Sequence, residues 1–142
     1  MEIPINTAWL AAYLIILQQV LMFATGLYRG RKKQGMGTQG DVTLERLVRR
    51  HGNLAENAGI FIVSLALLEI VAGPTRVVFM LCWAFAIART LHSIGFSSAY
   101  GAYKLDGKGF NRLFLLSRAM GAGISGLSGI GCGIAIAIAL AS

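Results

Sequence analysis

Residues Ala8 to Tyr28 read AWLAAYLIILQQVLMFATGLY and contain no charged side chain. A helix of about twenty apolar residues is long enough to cross a hydrocarbon core of roughly 30 Å. The chain before this stretch is acidic and the basic run Arg29 to Lys33 follows it, whereas a cleaved signal peptide begins with basic residues. The stretch therefore predicts an uncleaved membrane-spanning helix.

The composition extends this prediction to the whole chain of 142 residues. Hydrophobic residues make up 56% and charged residues 13%, whereas soluble domains carry about 25% charged residues. Strand-type alternation is missing, so the apolar runs should be helices that satisfy their own backbone hydrogen bonds in lipid. We expect an all-α membrane protein with one domain, residues 1–142.

Three further helical segments complete the predicted four-helix bundle, at about residues 43–72, 77–100 and 113–140 after a first span at 8–28. The second helix should begin near Asp41 or Thr43, where capping chemistry is available, and should stop before Gly73 and Pro74. The fourth carries small residues every four positions, which lets another helix approach closely. These residues are Gly121, Ser125, Gly129, Gly133 and Ala137.

The third span predicts charge inside the membrane. Only twelve uncharged residues separate Arg76 from Arg89, too few to cross the bilayer. The helix must therefore carry Arg89 and His92 into the membrane.

The basic residues predict the orientation. Ten of the thirteen lie in two segments, Arg29 to Arg50 and Lys104 to Arg112, which the positive-inside rule places in the cytoplasm. Both termini then lie outside, and in a bacterium the location would be the inner or plasma membrane. The net charge of +7 does not indicate nucleic-acid binding, because the charges form short clusters rather than a basic face interleaved with aromatic residues.

The polar residues of the helices are aligned. At about 100° per residue, six side chains of the second helix fall within about 120° of one another: Arg46, Arg49, Arg50, Asn53, Glu56 and Asn57. Arg89, His92 and Phe96 share one face of the third helix, and Arg118 lies about 9 Å along the fourth helix from Arg112. Because the second and fourth helices leave the cytoplasmic side and the third returns to it, these groups should lie at one depth in the membrane. Ionisable side chains at that depth are candidates for function.

The charge balance of this cluster favours a ligand. A structural alternative is a buried ion pair between Glu56 and Arg49 or Arg89. However, the cluster contains several arginines and one glutamate, so an anionic ligand would balance the surplus charge. Arginine suits carboxylates because its planar fork donates two parallel hydrogen bonds.

Three other sequence features do not indicate a functional site. Residues 121–126 match GxGxxG, but they lie in an apolar helix and follow no strand, so we do not expect a dinucleotide site. His51 and His92 form no ligand pair on one helix turn, so we expect no metal site. Cys82 and Cys132 lie in apolar runs and are interpreted as packing residues.

Residues 45–56, ERLVRRHGNLAE, resemble the second-helix pattern ERxxRxxxNxxE of the MAPEG family, the membrane-associated proteins of eicosanoid and glutathione metabolism. Arg89, His92 and Phe96 in the third helix and Ser117-Arg118-Ala119 in the fourth support the resemblance. The resemblance implies a trimer of four-helix subunits that binds glutathione between neighbouring subunits near the cytoplasmic face. It also implies activity as a glutathione transferase, peroxidase or isomerase, with glutathione as co-substrate.

The resemblance also implies residue roles. Arg49 and Asn53 would hold the tripeptide, Glu56 would pair with its amino group, and Arg118 would sit beside the sulfur and favour the thiolate, the nucleophilic form. The remaining binding residues implied by the resemblance are Arg29, Arg31, His51, Arg89, His92 and Phe96, of which His51 and Arg29 or Arg31 would come from the adjacent subunit. A hydrophobic second substrate would arrive from the lipid bilayer along a groove of the first and fourth helices.

Two alternatives remain open on the sequence. Asn57, His92 and Phe96 stand where many family members have aromatic or tyrosine residues, which predicts weaker binding, a different thiol, or a non-catalytic lipid-binding or scaffold protein. A small multidrug transporter also has four short helices. Such transporters use a central membrane carboxylate, whereas Glu56 stands among arginines near one face.

Overall fold

The computed structural model describes residues 3–98 and 112–141, and within these ranges it contains four α-helices and no strand. The helices are α1 Ile5–Lys32, α2 Val42–Ala72, α3 Arg76–Gly95 and α4 Arg112–Ala141. Each is long and apolar enough to cross a membrane. The predicted all-α bundle of four spans is confirmed, and the chain is an integral, multi-pass membrane protein.

Asp41 fixes the start of α2. Its side chain accepts a hydrogen bond from the backbone N–H of Leu44 at 3.0 Å, so Asp41 is the cap and Thr43 lies inside the helix. The pKa of Asp41 is lowered from its ordinary value, mainly by this hydrogen bond. The Tyr28 hydroxyl donates to the same carboxylate at 3.0 Å, and Lys32 Nζ lies 3.9 Å from it. Asp41 therefore joins the end of α1 to the start of α2.

The far end of α2 and the start of α3 are set by residues close in sequence. α2 ends at Ala72, directly before Gly73 and Pro74, and the Thr75 hydroxyl caps α3 by accepting the N–H of Val78 at 3.4 Å. α3 ends at Gly95 rather than near residue 100. The reason is that the chain turns there, and the Phe96 carbonyl accepts a hydrogen bond from Arg46 of α2 at 2.8 Å. Residues 99 and 100 of the predicted span, and 104–111 of the second basic segment, lie outside the described residues.

α3 and α4 form the closest helix pair of the bundle. A Cβ added at Gly121 would lie 2.6 Å from the carbonyl oxygen of Ala88 and 2.6 Å from the backbone nitrogen of His92, closer than real Cβ atoms come. The predicted ridge of small residues therefore packs within the subunit at Gly121 and Ser125, which are buried, whereas Gly133 and Ala137 are exposed. The two cysteines are buried and free, as expected of packing residues.

Glu69 is a buried carboxylate in the apolar part of α2, and the sequence analysis did not single it out. It is 1% exposed. Its oxygens accept four hydrogen bonds of 2.7–2.9 Å, from the backbone N–H and side chain of both Asn6 and Thr7. The two backbone N–H groups are orphan donors in the first turn of α1, where a negative charge is also favoured by the helix dipole. Glu69 therefore caps α1 from a neighbouring helix.

We expect Glu69→Gln to lower the free energy of unfolding by about 1–2 kcal/mol, because the amide keeps one acceptor oxygen and leaves donors of Thr7 without a partner. Thermal unfolding in detergent, followed by circular dichroism, measures the effect. Glu45→Gln is the matched control, since Glu45 is an exposed carboxylate of the same helix. Equal melting temperatures for the two variants would contradict the capping role.

Candidate functional site

A cavity of about 390 Å³ opens between α2, α3 and α4. Its wall combines polar side chains with small residues of α4, and the lining residues include Asn53, Asn57, Arg89, His92, Ser125 and Gly126. Ala122, Gly126 and Ile130 are exposed and form the side of the cavity that α4 presents to its surroundings. The volume lies within the range of sites for small molecules.

Arg89 provides the charge of the cavity. It is 4% exposed and donates to the carbonyl oxygens of Asn53 and Gly121, each at 3.4 Å, and to the hydroxyl of Ser125. Its guanidinium carbon also lies 5.3 Å from the centre of the Phe85 ring. All these partners are neutral, and Arg89 has no ion pair within residues 3–98 and 112–141. The cavity wall therefore holds a positive charge that is not neutralised by a described carboxylate.

The end of α3 and the start of α4 bring three predicted site residues together. The His92 and Phe96 rings have their centres 5.1 Å apart, and the Arg118 guanidinium carbon lies 5.1 Å from the centre of the Phe96 ring. Arg118 stands one helical turn before Ala122, which lines the cavity. Phe96 thus lies between the cavity residue His92 and the arginine of α4.

The predicted stripe of α2 borders the same cavity. The Asn53 and Asn57 amides each donate to the carbonyl four residues earlier in the helix, at 2.8 Å. Arg49 and Glu56 are exposed and lie outside the cavity lining. Glu56 forms no ion pair with Arg49 or Arg89 in the described part of the chain, which is contrary to the structural alternative of a buried pair.

Three further predicted residues do not line the cavity of their own chain. His51 Nε2 lies 2.8 Å from Gln18 Nε2 of α1. Arg29 donates to backbone carbonyls of the connection after α1, with the shortest bond, 2.9 Å, to Gly37, and Arg31 is exposed. Their contribution from an adjacent subunit stays a prediction.

Sequence reasoning missed Ser125 as a polar partner, because the spacing of the fourth helix assigned it to packing alone. It is buried and accepts a hydrogen bond from Arg89. The signal that could have revealed it is the predicted depth of Arg89. A guanidinium inside the membrane needs acceptors, and Ser125 is a hydroxyl on the ridge of α4.

The sequence model of the MAPEG family matches residues 7–110 of this chain. The chain belongs to the MAPEG family. No curated protein and no solved structure matches it. MAPEG proteins include glutathione transferases and peroxidases, and some members are non-catalytic. The match covers α1, α2 and α3, so the MAPEG assignment rests on the helices that carry Arg49, Glu56 and Arg89.

Proposed function

We propose that this MAPEG protein is a glutathione-dependent transferase or peroxidase that binds the tripeptide in the cavity between α2, α3 and α4. The observation that carries the proposal is Arg89, a buried cation whose described partners are all neutral. Because glutathione carries two carboxylates and one amino group, its net negative charge would balance this cavity. Arg49 would bind a carboxylate, and Glu56 would bind the amino group.

Under this proposal three subunits assemble and a neighbour closes the open side of the cavity. The support is the exposed wall of Ala122, Gly126 and Ile130, in which the small residues Ala122 and Gly126 permit close helix approach. His51 and Arg29 or Arg31 of the neighbour would then complete the binding site. By the positive-inside rule this site would face the cytoplasm.

Arg118 would activate the sulfur. A thiol with an ordinary pKa of about 8.5 is mostly protonated at neutral pH, and a nearby guanidinium favours the nucleophilic thiolate. In conjugation the sulfur forms a bond to an electrophilic carbon, and the leaving group departs with its electron pair. In peroxide reduction the sulfur attacks the terminal hydroperoxide oxygen, the O–O bond breaks, and the alcohol leaves after taking up a proton. The glutathione sulfenic acid formed then reacts with a second glutathione to give the disulfide and water.

The second substrate would be hydrophobic and enter from the bilayer. α1 packs mainly on α2 and α4 mainly on α3, and α1 and α4 make only marginal contact over the described residues. A groove formed by these two helices would therefore need α1 of one subunit and α4 of the next. This arrangement would place the electrophile beside Arg118.

Calorimetric titration of glutathione into the detergent-purified protein tests the proposal. We expect binding by the native chain and a loss of affinity of about ten-fold or more in Arg49→Ala and in Glu56→Ala, since each removes a charge-assisted contact. Arg76→Ala is the control, because Arg76 begins α3 at the opposite membrane face. Absence of binding by the native protein would contradict the proposal and favour the scaffold or lipid-binding alternative.

A further inference from the structure

A second groove lies on a different face of α3 from the polar cavity. It has a volume of about 580 Å³ and runs between α1 and α3. Its walls are mainly apolar and include Trp9, Phe79, Trp83, Ala86 and Leu91. The Tyr13 and Thr90 hydroxyls within it are hydrogen-bonded to each other. The groove therefore suits an apolar ligand, because few of its polar groups remain available for hydrogen bonds to a ligand.

The groove has the length of a lipid chain. From Phe79 to Leu91 the helix rises about 18 Å, while one leaflet contributes about half of a hydrocarbon core of roughly 30 Å. The side chains of Trp9 and Trp83 are 75% and 57% exposed, so the groove is open to the surroundings of the bundle. In a membrane-spanning chain those surroundings are lipid wherever no neighbouring subunit covers them, and an unfilled apolar space would forfeit dispersion contacts.

Arg76 is a charged residue of α3 that precedes Phe79, the first residue of this helix in the groove lining, by about one helical turn. It begins α3 and is exposed, and the helical spacing puts it on the same face as Phe79 and Trp83, three and seven residues later. Glu69 is the carboxylate near this end of α1, but it is buried and engaged by Asn6 and Thr7. Arginine at a membrane surface attracts anionic lipid headgroups.

We propose that the groove between α1 and α3 binds one anionic phospholipid, with an acyl chain along α3 and the phosphate beside Arg76. The apolar walls would bind the acyl chain of the lipid, and Arg76 would favour a headgroup with a negative charge. This inference does not depend on glutathione as the ligand of the polar cavity. It concerns a different face of α3 and a different class of ligand.

The two tryptophans allow a direct test, because Trp9 and Trp83 are the only tryptophans of the chain and both line the groove. Phosphatidylglycerol with brominated acyl chains is titrated into the purified protein in mixed micelles, and tryptophan quenching is compared with that by brominated phosphatidylcholine. We expect saturable quenching at a lower lipid fraction for phosphatidylglycerol. Arg76→Gln should reduce this preference by about five-fold, to the level of the neutral lipid.

Ala86→Leu fills the groove and should abolish the saturable component for both lipids, with native mass spectrometry showing loss of the retained phospholipid. Ala137→Leu adds the same bulk at an exposed position of α4, outside the groove, and should leave quenching unchanged. Identical, non-saturable quenching by both lipids in every variant would show ordinary surrounding lipid and overturn the proposal. Displacement of the brominated lipid by a chlorodinitrobenzene electrophile would assign the groove to the second substrate and overturn it as well.

Discussion

Arg118→Ala should lower the turnover number with glutathione by about 10²–10³-fold, the usual cost of removing one group that stabilises developing negative charge. Its guanidinium carbon lies 5.1 Å from the centre of the Phe96 ring, which also contacts the cavity residue His92. Under the proposed function this charge favours the thiolate, whereas binding of the tripeptide depends on Arg49 and Glu56. Turnover should therefore fall much more than affinity.

Ultraviolet absorbance of the bound thiolate separates this role from a structural one. Arg118→Ala should bind glutathione with little thiolate absorbance at neutral pH, and Arg118→Lys should restore part of it because the positive charge returns. Arg112→Ala, at the exposed start of α4, should behave like the native protein. Full thiolate absorbance in Arg118→Ala would assign thiol activation to another residue.

Gly121→Val should strongly disrupt the packing of α3 on α4, with a loss of about 3 kcal/mol in the free energy of unfolding. The added Cβ would lie 2.6 Å from backbone atoms of Ala88 and His92, and backbone cannot rotate away as a side chain can. α3 and α4 must therefore separate. Because Arg89 donates to the Gly121 carbonyl and to Ser125, the polar cavity should lose its shape along with the helix contact.

Gly123→Val provides the matched comparison, since a Cβ at Gly123 meets no atom of another helix within 4 Å in the described part of the chain. It should retain the native melting temperature, measured by circular dichroism in detergent, and should retain glutathione binding. Gly121→Val should show a lower melting temperature and weaker binding. If the two valine variants had the same melting temperature, the close approach of α3 and α4 would not be a determinant of stability.

The parts of the fold that the sequence predicts are those fixed by local chemistry or by the thickness of the bilayer. The start of α2 is set by an Asp41 side chain that reaches only three residues ahead, and its end is set by the adjacent Gly73 and Pro74. The depth of Arg89 follows from the distance between charges along the chain, because a shorter apolar run cannot span the membrane. Such constraints need no knowledge of which helices are neighbours.

The contacts that escaped prediction join residues distant in sequence. Arg89 and Ser125 are 36 residues apart, and Glu69 and Thr7 are 62 residues apart. Hydrophobic spacing identifies the buried face of each helix but leaves its rotation and height against its neighbours undetermined. The role of Ser125 and the capping of α1 by Glu69 depend on that rotation and height.

The position of Glu69 also bears on how the protein responds to an electrical field. The carboxylate lies twenty residues beyond Arg49 in α2, a rise of about 30 Å, so one helix carries opposite charges near the two faces of the bilayer. Moving one elementary charge through 100 mV changes its energy by about 2.3 kcal/mol. An energised membrane that is negative on the arginine side therefore stabilises this orientation at both ends of α2.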